Sequence, residues 1–270
     1  MVEFNQEVYD LRPWYHDFAA LGVQTRFPER FISRVWQMLA ALRRLVEPGY
    51  VEKGEKLSLR QFLNPQLPSH QINQIAKEAY IIPFISQALD ALGGTPRCLD
   101  LFCADGYYSC HIARLQPGAS ITGVDLDANE IARARVISRV LAASDATFHV
   151  TDVWEFVSSA CAYDLVVCTG GLYHLQEPRR FLEQLLPVVG GYLVVQSAIT
   201  LETEDAGYFV SPAPGWRHGS RFTHAGLRGW LEALGLDIVN EARSELPGNA
   251  RLCDRGSSYF LCRAPARGES

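Results

Sequence analysis

Between Pro96 and Ala198 five short apolar runs, at 98–102, 120–125, 147–152, 163–168 and 192–198, are separated by stretches with helical spacing. Strands that alternate with helices must run parallel, since each return crosses one face of the sheet, and both faces are then covered. The helices are expected at 107–115, at 128–142 behind an Asp127 cap, and at 178–186. Thr223 caps a further helix to Leu234, and runs at 236–242 and 257–262 close the pattern as an antiparallel hairpin. The expected fold is therefore α/β: a doubly wound, mostly parallel, Rossmann-like sheet.

In such sheets the ligand lies beyond the carboxyl ends of the strands, where the winding reverses. Those ends carry Asp100, a turn from Phe102 to Gly106, Asp125, Asp152, and Thr169-Gly170. Asp125 stands 19 residues beyond Gly106, where a carboxylate accepts both hydroxyls of a ribose. Asp152 is placed to take the exocyclic amine of adenine. Asp100 and Asp105 put negative charge where a pyrophosphate would lie, and the turn has one glycine where dinucleotide loops have three. An adenosine with a short zwitterionic tail suits this site better than a dinucleotide.

These residues resemble class I S-adenosylmethionine-dependent methyltransferases. Leu99-Asp100-Leu101-Phe102-Cys103-Ala104-Asp105-Gly106 is similar to the family's first motif, with Phe102 and Ala104 in place of the first two glycines. Gly123-Val124-Asp125-Leu126-Asp127 matches the second motif, and Asp152-Val153 sits where the family contacts adenine. The run 168–178, Cys-Thr-Gly-Gly-Leu-Tyr-His-Leu-Gln-Glu-Pro, resembles the fourth motif in its LYHL form, and Gly190-Gly191-Tyr192 follows as expected. The resemblance covers about 75–263. It implies S-adenosylmethionine as cofactor, held by Asp100, Phe102, Ala104, Gly106, Tyr107, Asp125, Leu126, Asp152, Val153, Thr169 and Gly170. It also places Tyr173 beside the transferred group.

The LYH form with an N-terminal Pro13-Trp14-Tyr15-His16 arm resembles the branch that includes wobble-uridine tRNA carboxymethyltransferases and natural-product methyltransferases. Transfer to an oxygen or nitrogen of a small molecule is the reading adopted. The alternatives are a tRNA-modifying methyl- or carboxymethyltransferase, with a carboxylated donor, and a cofactor-binding protein that directs a non-methyl reaction. A net charge of −5 gives no broad attraction for nucleic acid. Methyl transfer needs a base only when the acceptor loses a proton, and His174, with Tyr173 and His16, is the candidate group.

Residues 1–74 are expected to form an aromatic arm and a helical cap, with helices at 28–46 and 69–92 and a loop at 47–66; 264–270 is a tail. The Gly/Pro/aromatic stretch 200–222 reads as a lid. Trp14, Tyr15, Trp216, His218 and Arg221 are the candidate acceptor-binding residues. Of 25 basic residues all but three are arginine, a bias assigned to composition. Seven cysteines without a CxxC pair argue against a disulfide framework and a thiolate metal site. No apolar run reaches membrane-spanning length and no secretory leader is evident, so cytoplasmic residence is expected.

Overall fold

A computed structural model of the chain describes residues 5–25, 69–143 and 145–265. The expected helix at 28–46 and loop at 47–66 lie outside the described residues. A seven-stranded sheet comprises β1 (Arg97–Leu101), β2 (Ser120–Asp125), β3 (Ala146–Val150), β4 (Tyr163–Thr169), β5 (Val189–Ile199), β8 (Asp237–Glu245) and β9 (Gly256–Arg263). Their spatial order is β3-β2-β1-β4-β5-β9-β8. The first five strands are parallel, while β9 runs antiparallel to both β5 and β8. The winding reverses between β1 and β4, as the doubly wound reading requires.

The helices are α1 (Gln6–Asp10), α2 (Ser69–Leu92), α3 (Tyr107–Leu115), α4 (Ala128–Val140), α5 (Val153–Ser159), α6 (Pro178–Leu185), α7 (His224–Ala233) and α8 (Leu252–Arg255). Asp127 caps α4 by accepting the Asn129 N–H (2.8 Å), and Thr223 caps α7 through the Gly226 N–H (3.0 Å). Pro83 lies inside a continuous α2. The short helices α5 and α8 are absent from the sequence reading, because segments of 7 and 4 residues are too short to show a helical period. Strand β3 ends at Val150, so Asp152 lies two residues past it, as the cap of α5.

Each sheet face has its own core. Ile81 and Ile85 of α2, Ile112 of α3 and Ile137 of α4 cover one face together with Val8, Trp14 and Phe18 of the arm. Val153 and Val157 of α5, Phe181 and Leu185 of α6, and Leu227 and Leu231 of α7 cover the other. Burial this complete fixes the strand ends relative to one another, which gives the site its geometry. All seven cysteines are free, six of them buried. Among the described residues no helix is long and apolar enough to cross a membrane.

Candidate active site

The β1–α3 turn makes the floor. Phe102 (φ 59°), Ala104 (φ 46°) and Gly106 (φ 78°) all adopt the left-handed backbone conformation. Two of these residues carry a side chain in a region that costs about 1–2 kcal/mol for an L-residue. The turn therefore keeps the path of a three-glycine loop without two of its glycines. Asp125 at the tip of β2 holds that path: one carboxylate oxygen accepts the Ala104 N–H (3.0 Å) and the other the Asp127 N–H (2.9 Å). The Phe102 ring lies against Gly171 of the β4 loop, where an added Cβ would stand 2.0 Å from its Cδ2, and it meets Phe181 at 5.9 Å.

Asp100 sits beneath the turn with no solvent exposure. One of its oxygens accepts the Ser109 hydroxyl (2.7 Å), and the other, Oδ1, is buried without a partner. Burial raises its pKa to about 7, against the lowering effect of Ser109 and His16. A buried acceptor left open is costly and calls for a donor. Toward β3 the surface changes character: Leu126 is 68% exposed beside Asp125, an apolar shelf at a strand tip. Asp152 caps α5 by accepting the Trp154 N–H (2.7 Å), while the Val153 side chain is core, so Val153 offers only its first-turn backbone N–H.

Beyond β4, Gly170 donates its N–H to the side chain of Gln196 on β5 (2.9 Å) and has open space where a Cβ would be. Tyr173 and His174 follow with ring centroids 4.1 Å apart. The Tyr173 carbonyl is held from behind by the Ser220 N–H (3.0 Å) and the Arg221 guanidinium (3.3 Å). Burial lifts the Tyr173 phenol pKa. The His174 imidazole is pushed down to about 4, by desolvation first and then by Arg221 and Lys77.

The arm closes the site from the α2–α3 side. His16 donates its backbone N–H to Asp105 Oδ2 (2.8 Å), and its Nδ1 lies 2.6 Å from Asp105 Oδ1; both residues are buried. The tautomer that donates Nδ1–H to Asp105 leaves a lone pair on Nε2, which is enclosed and unpaired. Tyr15 beside it bonds Gln74 of α2. The phenol oxygen of Tyr108 and Oε1 of Gln74 are likewise buried without partners. The arm and the turn thus enclose several unfulfilled polar atoms.

Three of the expected site residues are engaged within the protein itself. Tyr107 does not face the strand ends: it is 1% exposed, stacked beneath His16 (4.6 Å), and donates its hydroxyl to Glu78 (3.0 Å). Trp14 is core, with its indole N–H on the Val8 carbonyl (2.8 Å) and its ring edge against Phe18. Arg221 is buried against Asp254 (2.6 Å), to which Nε and Nη2 turn, and Nη1 donates to the Ser220 and Tyr173 carbonyls, so four of its five N–H donors are spent within the protein. Trp216 and His218 stand exposed at the tip of the 200–222 segment, which is pinned by the Thr200 N–H on Phe222 (3.0 Å) and carries the two-stranded β6 (Phe209–Val210) and β7 (Arg221–Phe222). The sequence reading missed Ser109, Gln74 and Lys77. The first is a helical neighbour of the turn; the others lie on an α2 face whose polar positions were passed over in favour of its apolar ones.

A protein-family model described as a methyltransferase domain matches residues 71–241. The chain is 29% identical over 168 residues to a tRNA U34 carboxymethyltransferase of Idiomarina loihiensis, covering 58% of this chain and 50% of that one. It is 31% identical over 165 residues to an uncharacterised Synechococcus protein, covering 59% and 37%. The chain thus spans half or less of the length of these relatives. Among solved structures, magnesium protoporphyrin IX methyltransferase of Synechocystis with bound SAM superposes with a TM-score of 0.56 at 14% identity, covering 85% of this chain and 97% of that one.

Proposed function

We propose that this chain, which belongs to the methyltransferase domain family, transfers the methyl group of S-adenosylmethionine to an oxygen or nitrogen of a small molecule. The observation that carries the reading is the buried open Oδ1 of Asp100 under a left-handed turn whose other edge is exposed Leu126 beside Asp125. One end suits an ammonium and the other a nucleoside, as this cofactor demands. When bound, the cofactor supplies an electrophilic methyl on a sulfonium.

In this reading 75–263 is the catalytic domain, 1–74 the arm and cap, 200–222 a lid and 264–270 a tail. Asp125 keeps lone pairs for ribose hydroxyls, Leu126 gives the base an apolar face, and Asp152 with the Val153 N–H meets its polar edge. Phe102, Ala104 and Gly106 contribute backbone, and Thr169 with Gly170 leaves room at the switch point. Tyr15, Tyr173, Trp216 and His218 lie toward the acceptor. The acids at 100, 105 and 125 favour the positive sulfonium over its neutral product.

The base role is assigned to His16 rather than His174. Asp105 fixes the His16 ring with Nε2 free, whereas His174 has a pKa near 4 and is a weak proton acceptor at neutral pH. His174 and Tyr173 then position the acceptor, and the arm excludes water.

The test is label transfer from methyl-labelled S-adenosylmethionine to a panel of phenols, catechols and amines. His16→Asn keeps a donor for Asp105 but lacks Nε2, and should lower kcat about a hundredfold with S-adenosylhomocysteine affinity unchanged. Unimpaired kcat would return the base to another group. The tRNA relative favours a second reading. Label entering a tRNA pool and no small molecule, with binding that falls steeply as salt rises, would replace the proposal.

A further inference from the structure

Gln196 stands on β5 at 1% exposure, on the same strand face as Val194, which enters the core. An amide taken out of water is costly unless both its ends are bonded. Here both are. Its Oε1 accepts the Gly170 N–H (2.9 Å), and its Nε2 donates to Oγ of Ser257 on β9 (2.8 Å), a residue with no solvent exposure. The Gln196 main-chain carbonyl accepts the same Gly170 N–H at 3.2 Å, so the side chain makes the shorter half of a bifurcated bond. A leucine of similar size would be buried here at no polar cost, so the amide has a use beyond packing.

The place of that bond matters because β4 ends there. Thr169 pairs with Gln196 in the parallel register, and Gly170 then turns left-handed (φ 73°) and leaves the sheet. Strand β5 continues to Ile199, where it is still paired with Gly256 of β9. Gln196 is thus fixed by regular strands on either side while its partner begins a loop. From Gly170 the chain closes at once into the turn Leu172–His174, with the His174 N–H on the Gly171 carbonyl (2.9 Å) and the Leu175 N–H on that of Leu172 (3.0 Å). The Phe102 ring packs against Gly171, and Ser220 and Arg221 hold the Tyr173 carbonyl. A turn this short, gripped at both ends, passes a shift of Gly170 on to Tyr173 and His174.

We propose that Gln196 is a positioning residue for methyl transfer: oriented by Ser257, it sets through Gly170 where the Tyr173-His174 turn stands. This rests on the reading of Tyr173 and His174 as the acceptor side given above. Both ends of the amide are engaged within the protein, so it acts through the turn and not on the acceptor. A misplacement of about 1 Å can lower a transfer rate about a hundredfold. The contacts offered to the cofactor by the β1–α3 turn do not involve Gln196 and stay as they are.

The experiment compares Gln196→Leu, Gln196→Glu and Ser257→Ala in the full chain. Gln196→Leu removes the side-chain bond and leaves the main-chain one, so the sheet should persist. In hydrogen exchange read by mass spectrometry, the amides of 170–175 should exchange about tenfold faster than in wild type while β5 and β9 stay protected. Label transfer to the panel compound that wild type methylates best should lose about tenfold in kcat, with S-adenosylhomocysteine affinity by calorimetry unchanged. Gln196→Glu, which keeps an oxygen for Gly170, should recover most of both losses, and Ser257→Ala, which frees the amide to turn, should fall between. Unchanged exchange at 170–175 in Gln196→Leu, or Gln196→Glu as impaired as Gln196→Leu, overturns the proposal. So does a loss of S-adenosylhomocysteine affinity that matches the loss of kcat, which would place the effect on the cofactor. If Gln196→Leu does not fold, Ser257→Ala decides by the same readings. A wild type that labels no compound of the panel counts against the methyltransferase reading instead, and the exchange rates of the three variants then decide Gln196.

Discussion

Replacing Ala104 and Phe102 by glycine, one at a time, tests whether the floor of the site stores backbone strain. Both residues hold left-handed φ values, 46° and 59°, a conformation that costs a side-chain-bearing residue about 1–2 kcal/mol. Glycine removes that cost but adds about 0.5–1 kcal/mol of unfolded-state entropy. Ala104 loses only a half-buried methyl and keeps its N–H on Asp125, so Ala104→Gly should be neutral to about 1 kcal/mol more stable. Phe102→Gly gains the same relief but loses a ring packed between Gly171 and Phe181. Removing a half-buried phenyl costs about 2–3 kcal/mol, which outweighs the relief and leaves the variant about 1–2 kcal/mol less stable. Urea unfolding followed by circular dichroism reads both. Ala104→Gly destabilised by more than about 1 kcal/mol would mean that the turn is not strained. Phe102→Gly as stable as wild type would mean that the ring contributes no packing.

Asp125→Ala should weaken S-adenosylhomocysteine binding tenfold or more, since hydrogen bonds to a charged carboxylate are worth about 1.5–3 kcal/mol; unchanged calorimetric affinity would refute the ribose assignment. Asp100 gives a pH signature. Its folded pKa, near 7, lies above the ordinary carboxylate value, so the folded state binds the extra proton and the ligand-free protein loses stability as pH rises from about 4 to 7. An ammonium partner needs the ionised form, so S-adenosylhomocysteine should bind about tenfold more weakly at pH 6 than at pH 8, and Asp100→Asn should flatten that dependence. A dependence unchanged in Asp100→Asn would move the ammonium elsewhere.

The parallel order, the acids at the strand tips and the caps at Asp127 and Thr223 were legible because each depends on local spacing. The strand-to-helix turn was equally plain at Asp100 and Gly106. That Phe102 and Ala104 follow a glycine path was not, since left-handed backbone in a side-chain-bearing residue is imposed by tertiary contacts, here the grip of Asp125 and the space at Gly171. The arm misled in part. Its aromatic density suggested three site residues, Trp14, Tyr15 and His16, but Trp14 serves the core, and the sequence holds no sign that His16 meets Asp105, 89 residues away. The pairing of Arg221 was hidden for the same reason: its partner, Asp254, lies in a helix of four residues that has no readable period.

The two contacts behind the Tyr173 carbonyl, from Ser220 and Arg221, bear on how this scaffold could be diversified. Changes to the exposed tip at 203–218 lose the bond from Gln176 to the Arg217 carbonyl (3.4 Å) but leave Ser220 and Arg221 on the Tyr173 carbonyl. A graft that includes 220 or 221 moves the Tyr173 wall and leaves Asp254 with Arg251 as its remaining partner. Variation in substrate range is therefore easiest at the tip, and exchanges between relatives should place their crossover before Ser220.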